Sequence, residues 1–162
     1  MLAVAWLAAS ASVAQQTVTK LGEYKSWTAY VAGKNSQRVC YIVGEAQSDS
    51  AAEGRGVRYA YVAHRPAKKA WSVVMIYPGT PWREASEAQV EIGPRRFSLF
   101  TYRDTAWADD ADADARLVKA MRAGKTMVVH GTDAGGGAIE DTYSLAGFVA
   151  AYRRIGEACE LK

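Results

Sequence analysis

The chain has 162 residues, a hydrophobic fraction of 49%, a charged fraction of 23% and a formal net charge of +3. Its length predicts one domain with a core large enough to fold without a metal, and its composition excludes a disordered chain. The mild positive charge is no signature of nucleic-acid binding.

The N-terminus has the pattern of an export signal. Leu2–Ala9 is apolar but too short to span a bilayer, and the small residues Ser12–Ala14 satisfy the rule for cleavage by signal peptidase. We therefore expect residues 1–14 to be a signal peptide and residues 15–162 to be one domain with no transmembrane segment. A buried N-terminal helix is the alternative, because no Lys or Arg precedes the apolar run.

Export bears on the two cysteines, because disulfides form in oxidising compartments. Cys40 and Cys159 allow one pairing, which would close a loop of 119 residues. In the chain-entropy model such a crosslink contributes roughly 4–5 kcal/mol. Two free buried thiols are the alternative, since a free cysteine packs as a small apolar side chain.

Most of the mature chain consists of short β-prone runs separated by turn signals. Gln15–Gly22 is polar and is predicted to be an extended arm, Gln47–Gly56 a surface loop, and His64–Lys69 a second loop because Pro66 and charges interrupt the pattern. The predicted strands up to residue 107 are Tyr24–Val31, Arg38–Val43, Arg58–Ala63, Trp71–Tyr77, Glu87–Ile92, Arg96–Tyr102 and Thr105–Trp107.

The pattern changes near residue 109. Good helix formers predict a helix over Asp109–Ala123, and a hairpin follows, with strands Thr126–His130 and Ala138–Tyr143. Ser144 is predicted to cap a last helix, which has one apolar face over Leu145–Ile155. Eight or nine strands without βαβ alternation favour a mainly β fold, an antiparallel β-sandwich with two short α-helices near the C-terminus.

The C-terminal forty residues are the most distinctive. Met121–Thr132 reads MRAGKxMVVxGT, and Asp141–Cys159 reads DTYSLxGFxxAYxxIxxxC. With the early strands at Trp27–Tyr30 and Arg38–Tyr41, this pattern resembles the invasion-associated locus B family. The resemblance implies an immunoglobulin-like sandwich that is periplasmic or secreted and, in some pathogenic members, linked to host-cell entry. It implies no catalytic residue.

In the last helix, two residues have predicted packing roles. Gly147 lies in its predicted first turn, where the absence of a side chain would let the helix approach the sheet closely. Phe148 is predicted to be its main anchor in the core.

Motifs for metal and nucleotide sites fail on spacing. Asp110–Asp114 has the D-x-D-x-D opening of a calcium loop, but the required Gly and Glu positions are Ala115 and Met121. Gly124–Thr126 resembles the end of a phosphate-binding loop, but a strand follows it rather than a helix. We expect no metal and no cofactor.

The two histidines of the chain are weak candidates for a metal or catalytic site. His64 and His130 are far apart in sequence, so packing roles are favoured over a metal or catalytic site. A histidine that met two carboxylates would revive an enzyme hypothesis.

Three surface clusters have both a functional and a structural interpretation. Each of them is more simply explained as solvated loops or as packing. They are an acidic recognition hairpin of Asp133–Gly137 with Glu140 and Asp141; basic residues Arg65, Lys68, Lys69, Arg95 and Arg96 for anionic lipid or polysaccharide; and aromatic residues Tyr59, Tyr61, Trp71, Tyr77 and Trp82 for carbohydrate or peptide.

These observations lead to a first hypothesis of an exported, non-enzymatic β-sandwich that binds a protein or an envelope component. A structural or stress-related envelope protein without a dedicated ligand is the second hypothesis. A hydrolase built on the sandwich loops is the third. An enzyme should show a cleft of convergent titrating groups, whereas a binding module should show an exposed patch.

Overall fold

The computed structural model describes residues 17–47 and 54–160. The predicted signal peptide and most of the predicted Gln47–Gly56 loop lie outside the described residues. The strands are β1 (Val18–Tyr24), β2 (Trp27–Ala32), β3 (Val39–Glu45), β4 (Tyr59–Arg65), β5 (Ala70–Tyr77), β6 (Glu87–Ile92), β7 (Arg95–Tyr102), β8 (Thr105–Trp107), β9 (Thr126–Thr132) and β10 (Ala138–Ser144), and the α-helices are α1 (Ala111–Ala123) and α2 (Phe148–Ala158).

The ten strands form one antiparallel sheet in the order β1-β2-β3-β4-β5-β8-β7-β6-β9-β10. The sheet curls, so that residues near β2 meet the end of β10: Trp27 Nε1 donates to the Ser144 carbonyl at 2.9 Å, and Ser26 N to the Ala146 carbonyl at 3.2 Å. The predicted mainly β, sandwich-like class with two helices is confirmed.

Parts of two segments that were predicted to lie outside the sheet belong to strands. Residues 18–22, predicted to belong to an extended arm, lie in β1, and a turn after Tyr24 divides the predicted strand Tyr24–Val31. β1 pairs with β2 around a bulge between Lys20 and Gly22, which hides the two-residue alternation from sequence reading. β4 extends through His64 to Arg65, because Pro66 lies just beyond the last ladder residue and removes no sheet hydrogen bond.

Helix α2 packs on the inner face of the sheet. Phe148, at its start, is fully buried, and its ring meets Trp27 edge-on at a centroid distance of 5.0 Å. The predicted anchoring role of Phe148 agrees with this packing.

The start of α2 differs from the prediction. Gly147 is the N-cap with φ of 89°, and a Cβ there would lie 1.8 Å from the Tyr24 carbonyl oxygen. Ser144 does not cap the helix; its hydroxyl instead accepts from Ala146 N at 3.2 Å. Close approach to β1 therefore requires glycine, as predicted, although Gly147 precedes the first turn rather than lying within it.

The C-terminal end of α2 is tied to the sheet by a disulfide. Cys40 in β3 is bonded to Cys159, which follows the helix, with a Cα–Cα distance of 6.0 Å. This is the pairing predicted from the sequence, and both residues are buried. Phe148 and Cys159 thus fasten both ends of the helix.

Helix α1 uses its aspartates for structure. Asp110 caps the helix by accepting from Ala113 N at 2.7 Å. The buried Asp114 accepts from the backbone N of Val74 in β5 at 2.8 Å, and burial raises the pKa of its carboxyl to about 6. The predicted helix-terminal interpretation of these acids therefore holds for Asp110, while Asp114 joins the helix to the sheet.

His64 lies in the core beside the disulfide, on the ladder position opposite Cys40. Its Nδ1 accepts from Ser72 N at 3.0 Å, so the ring is neutral with its proton on Nε2. Trp71 and Tyr152 pack against the ring at centroid distances of 5.6 and 5.2 Å. Burial lowers the pKa of His64 to about 4.

Replacing Phe148 by Ala should lower the free energy of unfolding by about 3–5 kcal/mol, because it removes a fully buried aromatic ring. Urea denaturation measures the change. The neighbouring Val149 is 48% exposed, so Val149→Ala is the control and should change stability by less than about 0.5 kcal/mol. A loss below about 1 kcal/mol for Phe148→Ala would contradict the anchoring role.

Acid should destabilise the protein through His64. In the unfolded state His64 is protonated below about pH 6.5, whereas in the folded state it stays neutral down to about pH 4. The contribution of neutral His64 to the free energy of unfolding is therefore fully present above pH 6.5 and is lost as the pH falls from 6.5 to 4. His64→Asn keeps an acceptor for Ser72 N and removes the titration. Between pH 7 and 5, wild type should lose about 2 kcal/mol more than this variant.

The raised pKa of Asp114 acts in the opposite direction, since its folded-state proton uptake adds stability as the pH falls below about 6. That contribution is common to wild type and His64→Asn and cancels in their difference. His130→Asn, which removes the other histidine of the protein at a partly exposed position, is the control. Parallel pH curves for wild type and His64→Asn would show that His64 is not the acid-sensitive group.

Candidate functional site

The outer face of the sheet carries a group of tyrosines, here called the tyrosine face: Tyr30, Tyr41, Tyr59, Tyr61 and Tyr77. They alternate along β2–β5 with buried side chains such as Ala29, Ile42 and Val62, so the two-residue period of a strand sends the tyrosines outward. All five are partly exposed. Both α-helices pack on the other face, through residues such as Phe148 and Asp114.

The rings of the tyrosine face stack on one another across strands. Tyr30 lies directly opposite Tyr41 with centroids 5.3 Å apart and planes at 20°, and Tyr59 lies opposite Tyr77 at 4.9 Å and 16°. Tyr61 continues the first stack at 5.0 Å from Tyr41. Since the ring faces cover each other, the surface is made mainly of ring edges and phenol groups.

The aromatic surface continues beyond β5. Met75 in β5 is paired with both Tyr61 and Trp107, and Trp107 is in turn paired with Phe100 in β7. Phe100 is 44% exposed, and at the rim Tyr102 is 60% exposed. A row of large apolar side chains therefore crosses four strands of the sheet.

The phenol groups of Tyr41, Tyr61 and Tyr77 stay protonated at neutral pH. Burial raises the pKa of Tyr41 and of Tyr61, and Tyr61 also hydrogen-bonds with Arg65. A hydrogen bond with Asp104 raises the pKa of Tyr77. The face thus offers neutral hydroxyl groups that both donate and accept hydrogen bonds.

Sequence reasoning found only part of this surface. Of the five predicted aromatic candidates, Tyr59, Tyr61 and Tyr77 lie on the tyrosine face. Trp82 is instead buried against Gly131, where a Cβ would lie 2.4 Å from its ring. Trp71 is half-buried and packs against the ring of His64. Tyr30 and Tyr41 were missed, although each stands between apolar residues in a strand pattern.

His130 meets two carboxylates, the condition set for an enzyme hypothesis. Its Nε2 lies 3.7 Å from Glu91 Oε2 and its Nδ1 lies 3.5 Å from Glu140 Oε2. All three side chains are at least one-third exposed on the open outer face of β6, β9 and β10. Within the described chain, no Ser, Thr or Cys hydrogen-bonds His130, so this cluster has no nucleophile activated by a base.

A metal site would need several acidic or histidine side chains close together. Within residues 17–47 and 54–160, no group of three or more His, Cys, Asp or Glu side chains is placed to hold a metal ion. His64 is in the core and His130 on the outer face, so the structure does not bring them together.

The predicted acidic hairpin does not act as one cluster. Asp133 accepts from Gly137 N at 2.8 Å and so stabilises its own turn. Asp141 is fully buried, where Arg55 Nη1 donates to it at 2.9 Å and Arg58 Nη1 at 2.7 Å. Because Glu140 meets His130, these carboxylates face three different environments.

The predicted basic residues also divide into two groups. Arg65 and Lys68 line a cavity of about 250 Å³ together with Arg38. Arg95 and Arg96 line another, of about 490 Å³, and the two cavities have no lining residue in common. In the described part of the chain, the five predicted basic residues are therefore not gathered around one cavity.

Comparisons with known proteins agree with this fold. No curated protein sequence matches the chain. The crystal structure of invasion associated protein B from Bartonella henselae is similar, with a TM-score of 0.57 and 16% sequence identity over 88% of this chain and 99% of that one. At this identity the likeness concerns the fold alone.

A protein-family model matches most of the chain. The model of the family described as invasion associated locus B (IalB) protein matches residues 27–156, which includes nearly all of the sheet and most of α2. In the described residues no helix has the length and apolar character needed to cross a membrane. The chain belongs to the invasion-associated locus B family.

Proposed function

We propose that this protein is exported to the periplasm or beyond and acts there as a non-enzymatic module that binds a protein partner through the tyrosine face. The observation that carries the proposal is the set of outward tyrosines on β2–β5, on the sheet face opposite the helices. The partner would be a protein of the envelope or of a host cell.

The geometry of the rings favours a protein partner over a carbohydrate. A sugar or a base that stacks needs an uncovered ring face. In the tyrosine face the rings of Tyr30 and Tyr41 cover one another, as do those of Tyr59 and Tyr77. Rigid tyrosines that present edges and hydroxyl groups are typical of protein-binding surfaces, where they bury large area at low cost in side-chain entropy.

Export is supported by the covalent framework. The bond between Cys40 and Cys159 persists in oxidising compartments and is rare in the reducing cytosol. The Bartonella henselae protein is described as invasion associated, and this description is the reason to include host-cell proteins among the candidate partners. The competing hypothesis is a structural role in the envelope without a ligand. That hypothesis gives the exposed tyrosines no function.

Loss of the tyrosine stack should strongly reduce the capture of the partner. Tyr30→Thr combined with Tyr41→Thr removes two stacked rings and places threonine, a β-branched residue that favours strands, at both positions. Captured partner, measured by quantitative pull-down from envelope and host-cell extracts, should fall at least about tenfold, the effect of losing one or more interface hot spots.

The matched control is His130→Thr combined with Glu140→Thr, since these residues form another directly opposed pair on the outer face. This variant should keep full capture, and both variants should retain the wild-type circular dichroism spectrum. Equal capture by the tyrosine variant and wild type would favour the structural function. Loss only in the control would move the site to the His130 cluster.

Export predicts a processed and oxidised protein. Mass spectrometry of the protein isolated from the envelope or medium should find Gln15 at its N-terminus. Peptide mapping without reductant should recover Cys40 joined to Cys159. A retained leader, or two thiols that react with an alkylating agent in native protein, would refute the proposed compartment.

A further inference from the structure

Two adjoining cavities lie between α1 and the turn that joins β6 to β7; together they are called the α1 groove. The first, the basic cavity, has a volume of about 490 Å³ and is lined by Arg95, Arg96 and Arg116 among others. The second, the apolar cavity, has a volume of about 470 Å³. Arg95 lines both, so the two cavities adjoin at this residue.

One side of α1 forms the wall of the groove. Ala113, Arg116 and Leu117 line the basic cavity, and Ala120 and Ala123 line the apolar cavity. Steps of three and four residues place these positions on one face of a helix. The groove therefore runs along the helix axis, and its two parts face successive turns of α1.

The basic cavity has cations that the protein itself does not neutralise. Arg95 and Arg116 are exposed, and within the described chain their side chains make no hydrogen bond or ion pair. Arg96 pairs with Glu91 at 3.0 Å. Asp109 is the one carboxylate among the residues that line this cavity. The excess of positive charge favours an anion, and guanidinium groups suit phosphate because they bind it in a bidentate manner.

The adjoining cavity has a different chemistry. Ile92, Pro94, Ala120 and Ala123 supply apolar walls, and no carboxylate lines it. Its one added cation is Lys125, which is exposed at the end of the groove. An apolar group would thus be taken out of water beside a charged site.

We propose that the α1 groove binds one molecule of an anionic phospholipid. Its phosphate lies between Arg95 and Arg116, and one acyl chain extends past Arg95 along Ile92 and Ala123. A ligand with charge at one end and hydrocarbon at the other matches both cavities, whereas an acidic peptide would place charge along the apolar walls. The site is separate from the tyrosine face and does not depend on it.

Binding of a short-chain lipid tests the assignment of charge. Dihexanoyl phosphatidylglycerol, used as a monomer, should bind full-length mature protein in calorimetric titrations, and the zwitterionic dihexanoyl phosphatidylcholine should bind at least about tenfold more weakly. Arg95→Gln combined with Arg116→Gln should weaken binding of the anionic lipid by about tenfold or more.

The control for net charge is Lys68→Gln combined with Lys69→Gln, which removes the same charge from a loop outside the groove. It should leave lipid affinity unchanged. An equal loss in the two double variants would overturn the site, because it would mean that only overall charge matters. Melting temperatures equal to wild type are expected for both, since all four residues are exposed.

The acyl-chain half of the site has its own test. Ala123 is exposed and lines the apolar cavity, so Ala123→Phe fills that cavity without entering the core. It should weaken binding of the lipid and leave that of inorganic phosphate unchanged. The proposal is overturned if Ala123→Phe binds the lipid as wild type does, or if wild type binds inorganic phosphate or an oligoglutamate peptide as tightly as the lipid.

Discussion

The contact between Trp27 and Phe148 is the interaction on which the rest of the structure depends. It joins the start of β2 to the start of α2, and the Trp27 indole also donates to the carbonyl at the end of β10. Gly44 lies opposite Trp27, and a Cβ there would come within 2.8 Å of the indole. The ring therefore fills the space where the two ends of the curled sheet and the last helix converge.

This packing determines which face of the sheet is available. Because α2 covers the inner side of β2–β4 and its end is bonded to Cys40, the tyrosines at alternate positions lie on the side without a helix. A strand cannot present both sets of side chains to the same environment. The tyrosine face is thus a direct consequence of placing Trp27 and Cys40 inside.

Local sequence patterns predicted those strands and helices that are determined by residues close together in the chain. The clean alternation of Glu87–Ile92 and the helix formers before Gly124 predicted their elements closely, and the two cysteines allowed only one pairing. The rest depends on distant residues. His64 is buried because Cys159 and Tyr152 return to β4 from the end of the chain, and the meeting of His130 with Glu91 requires β9 to pair with β6 across α1.

Buried charge explains why the acidic hairpin could not be interpreted from sequence. Asp141 faces inward on β10, and removing its carboxylate from water is costly unless cations follow it. Arg55 and Arg58 supply them from the segment before β4, and Arg55 Nη1 also donates to the Pro78 carbonyl at 3.1 Å. Arg55 and Arg58 are thus bound to a buried carboxylate of the protein. In the described chain, Arg95 and Arg116 are bound to no carboxylate. Arg95 and Arg116 are exposed to solvent and need no partner within the chain, so their guanidinium groups remain available to a ligand in the α1 groove.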